Sequence, residues 1–235
     1  MKNPSSVVVI GLQILGLAGC SRQSWPSSAN NLNWVQTISI TRNANDLYAG
    51  CLDGTIRIWD FGRSNLRVWS ASVKPIDSID LSQDEKHLAS GGMEPIVKLW
   101  DAKTGQLTHS FLGHKRWVKC VRFSPTNNLL ASGSFDGSVK IWNLADRSLM
   151  TSLEGNADEI WSVAFSPDGL TLVSGHQNGT IILWKNAFTT HRVVKVTSAS
   201  IRAMAFFDDG RIMAISSADG VVRLLDIYSQ GNRDS

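Results

Sequence analysis

An all-β fold of about five four-stranded units is predicted by three observations. Short apolar runs follow one another at regular spacing, each bounded by turn residues. Between Leu107 and Arg147 the runs are Leu107–Leu112, Val118–Phe123, Leu129–Ser134 and Ser138–Asn143, separated by Gly113, Ser124-Pro125-Thr126-Asn127-Asn128 and Asp136-Gly137. The stretch is then repeated: Trp100, Trp142 and Trp184 stand 42 residues apart, with Trp59 and Leu225 a further 41 before and after. Ile40, Leu81, Phe123, Phe165 and Phe206 keep the same step. Finally, Asp53-Gly54, Asp136-Gly137, Asn178-Gly179 and Asp219-Gly220 recur between two apolar runs, where a tight hairpin needs positive φ and glycine supplies it. A period of 40–45 residues with four strands per unit marks the blades of a β-propeller.

The chain begins with a segment outside that pattern. Met1-Lys2 is a short positive start, and 7–17 is an apolar run of 11 residues. It is too short to cross a bilayer as a helix and fits the core of a signal peptide. Its end, Leu17-Ala18-Gly19-Cys20, resembles the lipobox of bacterial lipoproteins. That resemblance implies a signal peptide at 1–19, cleavage before Cys20, lipidation of Cys20 and attachment to a membrane through the lipid. Ser21 in the next position implies the periplasmic side of the outer membrane in a Gram-negative cell, so the expected location is the bacterial cell envelope. Residues 20–33 are rich in Ser and Asn and read as a flexible tether.

The propeller is expected over 34–228. Unit one places strands at 34–40, 47–51 and 55–60, and unit two at 66–71, 76–81, 87–92 and 96–101. Unit three is the stretch above. Unit four follows at 149–153, 160–165, 171–175 and 180–185, and unit five at 192–196, 201–206, 212–216 and 221–227. The polar tail 229–235 is expected to be disordered.

Gly113-His114, with Ile58-Trp59-Asp60, Leu99-Trp100-Asp101 and Ile141-Trp142-Asn143, resembles the WD40 family over residues 34 to 227. The resemblance implies a buried network of His114, Ser132, Asp136 and Trp142 in unit three, with Trp59, Trp100 and Trp184 as anchors of the other blades. It is physically sound, because polar groups buried in an apolar sheet must be paired. Unit four has Asn156, Ser174, Asn178 and Trp184, unit five has Leu225 in the Trp position, and unit two has Glu94-Pro95 in place of Asp-Gly. Units three and four are therefore expected to form the firmest part. Family blades are offset from sequence units, which leaves the fifth blade without an outer strand. Five units are also fewer than the usual seven. A five-bladed ring, an open arc, a piece of a longer propeller, and two chains pairing at their open blade edges are all compatible with that count.

The remaining composition narrows the function. The chain has 235 residues, 43% of them hydrophobic, and a formal net charge of +3. It has no run of Lys or Arg, so no nucleic-acid partner is expected. His87, His109, His114, His176 and His191 show no metal-ligand spacing, and no phosphate loop or nucleophile motif occurs. No metal, cofactor or enzymatic activity is expected. A His114/Asp136/Ser132 triad is set aside because the structural network accounts for all three. Cys51 and Cys120 lie in different units; Cys120 reads as a small buried apolar residue, and a disulfide between the two stays open.

What remains is binding to a protein or peptide. The family uses the residue before the turn Asp and the first residues of the innermost strands. Mapped onto this sequence, that face carries Trp34, Leu52, Asp77, Met93, Trp117, Lys119, Phe135, Trp161, Gln177 and Arg202. Trp34, Trp117 and Trp161 either form an exposed aromatic patch with Met93 and Phe135 or plug the channel of a small ring. The function read from this is a non-catalytic, membrane-tethered interaction scaffold. The rivals are a structural subunit of an envelope assembly complex and a sugar-binding or hydrolytic propeller, and the missing acid pairs speak against the last.

Overall fold

The computed structural model describes residues 35–63, 65–126, 128–155 and 158–228. Over these the regular elements are all strands. The first sheet is β1 (Val35–Ile40), β2 (Asp46–Cys51), β3 (Thr55–Asp60) and β4 (Asn65–Ser70). The second is β5 (Ile76–Leu81), β6 (His87–Gly92), β7 (Glu94–Asp101) and β8 (Leu107–Leu112). The third is β9 (Val118–Phe123), β10 (Leu129–Ser134), β11 (Ser138–Asn143) and β12 (Ser148–Glu154). The fourth is β13 (Ile160–Phe165), β14 (Leu172–His176), β15 (Thr180–Lys185) and β16 (Thr190–Lys195). The fifth is β17 (Ile201–Phe206), β18 (Ile212–Ser217) and β19 (Val222–Asp226), three strands among the described residues. Each sheet is an antiparallel meander, and the sheets are five propeller blades.

Period-two alternation gives each strand two apolar sides, and both are used. In the joint between blades three and four, Ala131, Val139, Ile141 and Leu153 meet Ile160, Val163, Leu172 and Trp184. The same layout joins blades two and three through Leu99, Phe111, Leu130 and Trp142. The innermost strands pack β1 on β5, β5 on β9, β9 on β13 and β13 on β17. No packing of that kind joins β17 back to β1 among the described residues. Among the described residues the blades therefore form an arc with two open ends.

The turn glycines behave as expected: Gly137 has φ 83° and Gly179 φ 82°. The strand at Glu94 starts two residues earlier than the sequence suggests. Gly92 pairs directly with Glu94 across a register shift, so Met93 alone makes the turn. Cys51 and Cys120 are both buried and free, which closes the disulfide question. Burial pushes the Cys120 thiol up to about 12, as suits an inert residue inside a joint. The expected signal peptide, Cys20, the tether, Trp34, Asn156 and the tail from 229 lie outside the described residues.

Candidate interaction face

The third-blade network fixes the loop that carries the face. Trp142 Nε1–H donates to Ser132 Oγ at 2.8 Å, and Ser132 Oγ lies 2.8 Å from His114 Nε2. His114 Nδ1 lies 2.9 Å from Asp136 Oδ2. One direction satisfies the whole chain: Ser132 O–H donates to Nε2, and Nδ1–H donates to the carboxylate. Asp136 also accepts from the Lys115 backbone N–H at 2.8 Å and from Ser138 Oγ at 2.7 Å. Burial raises the pKa of the Asp136 carboxyl, but the His114, Ser138 and Lys115 donors outweigh that and hold it well below the usual carboxylate range. Ser132 is fully buried, so its hydroxyl meets no substrate and serves structure.

Blades two and four use different parts for the same purpose. Trp100 Nε1–H donates to Ser90 Oγ at 2.9 Å, and Glu94, at the repeat position of Asp136, pairs with Lys98 at 3.1 Å. In blade four Trp184 donates to Ser174, and Ser174 Oγ lies 2.9 Å from His176 Nε2. His176 comes from β14 itself, not from the preceding loop. Sequence matching missed it because the expected position is Asn156. Ile76, Leu88 and Trp100 of blade two are as buried as their third-blade counterparts, so the expected looseness of blade two does not show in its burial. Trp59 does depart from the expected anchor role. It is only half-buried, because its side of blade one faces the open end of the arc, and Ala49 stands where the other three Trp residues have Ser90, Ser132 or Ser174.

With the His114 loop pinned, Arg116 and Trp117 arrive at the rim of blade three. The Phe135 N–H donates to the Trp117 carbonyl at 3.0 Å, tying loop and hairpin turn together. The Trp117 and Phe135 rings lie 5.9 Å apart, and Phe135 lies 5.2 Å from Trp161, the second residue of β13. Three rings thus run across blades three and four. Trp117 is 44% exposed, and none of the three belongs to a buried core cluster. Phe135 and Trp161 are half-buried.

Cations frame the row. The Arg202 guanidinium stands 4.0 Å from the centroid of Trp161, Lys119 Nζ 5.2 Å from the same ring, and Arg116 5.8 Å from Phe135. Such contacts favour the aromatic faces electrostatically. Lys119 pairs with Asp77 at 2.6 Å and Arg116 with Glu159 at 3.0 Å. Arg202 is exposed and makes no ion pair among the described residues. Trp161 Nε1–H donates to Gln177 Oε1 at 2.8 Å. Of the sequence-derived positions, the fold brings together Asp77, Trp117, Lys119, Phe135, Trp161, Gln177 and Arg202. Leu52 and Met93 occupy the equivalent turns of blades one and two, and no described contact joins them to the row. Arg116 and Glu159 belong to the cluster as well. Arg116 was missed because its place, two residues before the start of β9, is outside the positions the resemblance supplies.

Comparison with known proteins bears on the family and the fold. The family model for the WD domain, G-beta repeat, matches residues 26–60, 63–101, 105–143, 147–185 and 187–226. The chain is 33% identical over 88 residues to the nuclear distribution protein nudF of Emericella nidulans, covering 37% of this chain and 20% of that protein. It is 34% identical over 83 residues to the U3 small nucleolar RNA-associated protein 15 homolog of Xenopus laevis, covering 35% and 16%. Two solved structures, of U3-55K and of the RRP9 WD40 repeats, superpose with TM-score 0.76 at 23% identity. The first covers 82% of this chain and 61% of its own, the second 83% and 60%. The chain thus spans a fifth or less of these two sequence relatives. These relatives overturn the bacterial-envelope location: they are eukaryotic proteins, named for nuclear distribution and for U3 small nucleolar RNA association. The envelope expectation rested on residues 1–21 alone, and no feature of the blades supports it. Among the described residues no helix is long and apolar enough to cross a membrane.

Proposed function

We infer from one premise, that the chain belongs to the WD40 family (WD domain, G-beta repeat), that it is a protein-interaction scaffold with no chemistry of its own, and that its contact face is the Trp117–Phe135–Trp161 row. The observation that carries the reading is the aromatic row, exposed at Trp117 and half-buried at Phe135 and Trp161, flanked by Arg116, Lys119 and Arg202. Exposed Trp and Arg on a rigid scaffold are the residue types that dominate interface energetics. The preferred ligand is a peptide or protein segment with an apolar or aromatic anchor beside a carboxylate. The anchor fits against the rings, and the carboxylate meets Arg202.

The U3-named relatives are consistent with a scaffold inside a larger assembly. Protein contact is the reading favoured here over RNA contact, because two of the three framing cations are already paired with Asp77 and Glu159. Selecting peptides from a random displayed library on the wild-type chain tests the proposal. Enriched sequences should pair an aromatic with an acidic residue and lose binding to Arg202→Ala. Enrichment that is indifferent to Trp117, Trp161 and Arg202 would reject this face.

A further inference from the structure

The two ends of the arc carry opposite halves of one joint. In every internal joint the leading side of a blade presents two inner-strand residues, a Leu or Met and the anchor position, as Ile160, Val163, Leu172 and Trp184 do in blade four. The trailing side of the previous blade presents Ala131, Val139 and Ile141, or Ala89, Val97 and Leu99, all essentially buried. By register and repeat spacing, the leading side of blade one is Val35, Ile38, Leu47 and Trp59. The trailing side of blade five is Ala214, Val222 and Leu224, aligned across β18 and β19. The residues occupying these positions elsewhere are buried, yet here Val222 is 63% exposed, Leu224 67% and Val35 38%. Trp59 and Leu47 are half-buried. The residue types match the internal joints: small and β-branched on one side, a large aromatic with a Leu on the other.

We propose that the trailing side of blade five in one copy of this chain docks on the leading side of blade one in a second copy, head to tail, as a fifth joint of the same kind as the four internal ones. A second copy is the occupant because it carries the missing half at both ends. The contact is heterologous, so each copy keeps one further face available, and assembly extends until a ring closes. This surface is separate from the aromatic row and does not depend on its role.

The test uses the full chain and its mass in solution over a range of concentrations. Wild type should pass from one chain to two and beyond as concentration rises. Leu224→Glu and Trp59→Glu should each weaken self-association by about tenfold or more, since a charge is placed in an apolar joint. Mixed one to one, they should form a dimer that grows no further, because only one joint retains two intact halves. Val35→Glu, at a more exposed position, replaces Trp59→Glu in the mixture should the latter fail to fold. Three results overturn the proposal: a wild type of one-chain mass at every concentration; a mixture that stays monomeric; or self-association that appears only after residues 2–33 are removed, which would assign the faces to the chain's own N-terminal segment.

Discussion

His114 Nδ1 lies 2.9 Å from Asp136 Oδ2, in the blade whose His114 loop and Asp136 turn also carry Trp117 and Phe135. The pair is buried, and the donors aimed at the carboxylate come from the His114 loop and from Ser138, the first residue of β11 after the turn. Removing either partner strands the other. His114→Ala and Asp136→Ala should each cost roughly 1–3 kcal/mol of stability. Urea midpoints read the effect, and midpoints equal to wild type would dissolve the network.

The same carboxylate predicts a pH dependence. The folded pKa of Asp136 is depressed, so its contribution is complete above the unfolded Asp value, about 3.9, and is lost as pH falls below it. The stability difference between wild type and Asp136→Asn should therefore be constant at neutral pH and shrink in acid. A difference that grows on acidification would have the wrong sign.

His176 titrates in the other half of the scale. Its burial lowers the pKa of the imidazole, outweighing the backbone hydrogen bond to Asp158 and that residue's charge. A buried neutral base resists protonation, so stability should fall as pH drops below the unfolded His value of about 6.5. His176→Gln keeps a group for Ser174 and removes the titration. Melting curves between pH 7 and pH 5 should be flatter for the variant, and equal slopes would remove His176 from the account.

Much of this was legible in the sequence, and the exceptions have physical causes. Strand positions followed from apolar runs between Gly, Asp and Asn turns, as at Ser138–Asn143, because a blade needs no distant information to form its meander. The Ser132–His114–Asp136 chain was readable through the family resemblance, whose marker residues all fall within the third unit. His176 was not, since it replaces an imidazole expected from a loop with one on the neighbouring strand, and only three-dimensional proximity equates them. Trp59 read as an anchor because its local sequence is that of Trp100 and Trp142. Its half-exposure depends on whether a neighbouring blade covers it, which no local pattern encodes. The rings Trp117, Phe135 and Trp161 were placed on one face by the repeat, whereas Arg116 joined them through side-chain reach.

The central claim is that the aromatic row binds and does not hold the fold together. The measurement that decides it is made on Trp117→Ala combined with Phe135→Ala: melting temperature together with Kd for a peptide selected on the wild-type chain. The account predicts a modest loss of stability, since Trp117 is 44% exposed and a surface truncation usually changes stability by no more than about 0.5 kcal/mol, with half-buried Phe135 adding to it. It predicts that binding weakens by about 2 kcal/mol or more, close to thirtyfold in Kd. An early melt of the size expected for a truncated core aromatic, about 3–5 kcal/mol, with Kd unchanged in the protein that stays folded, would contradict it.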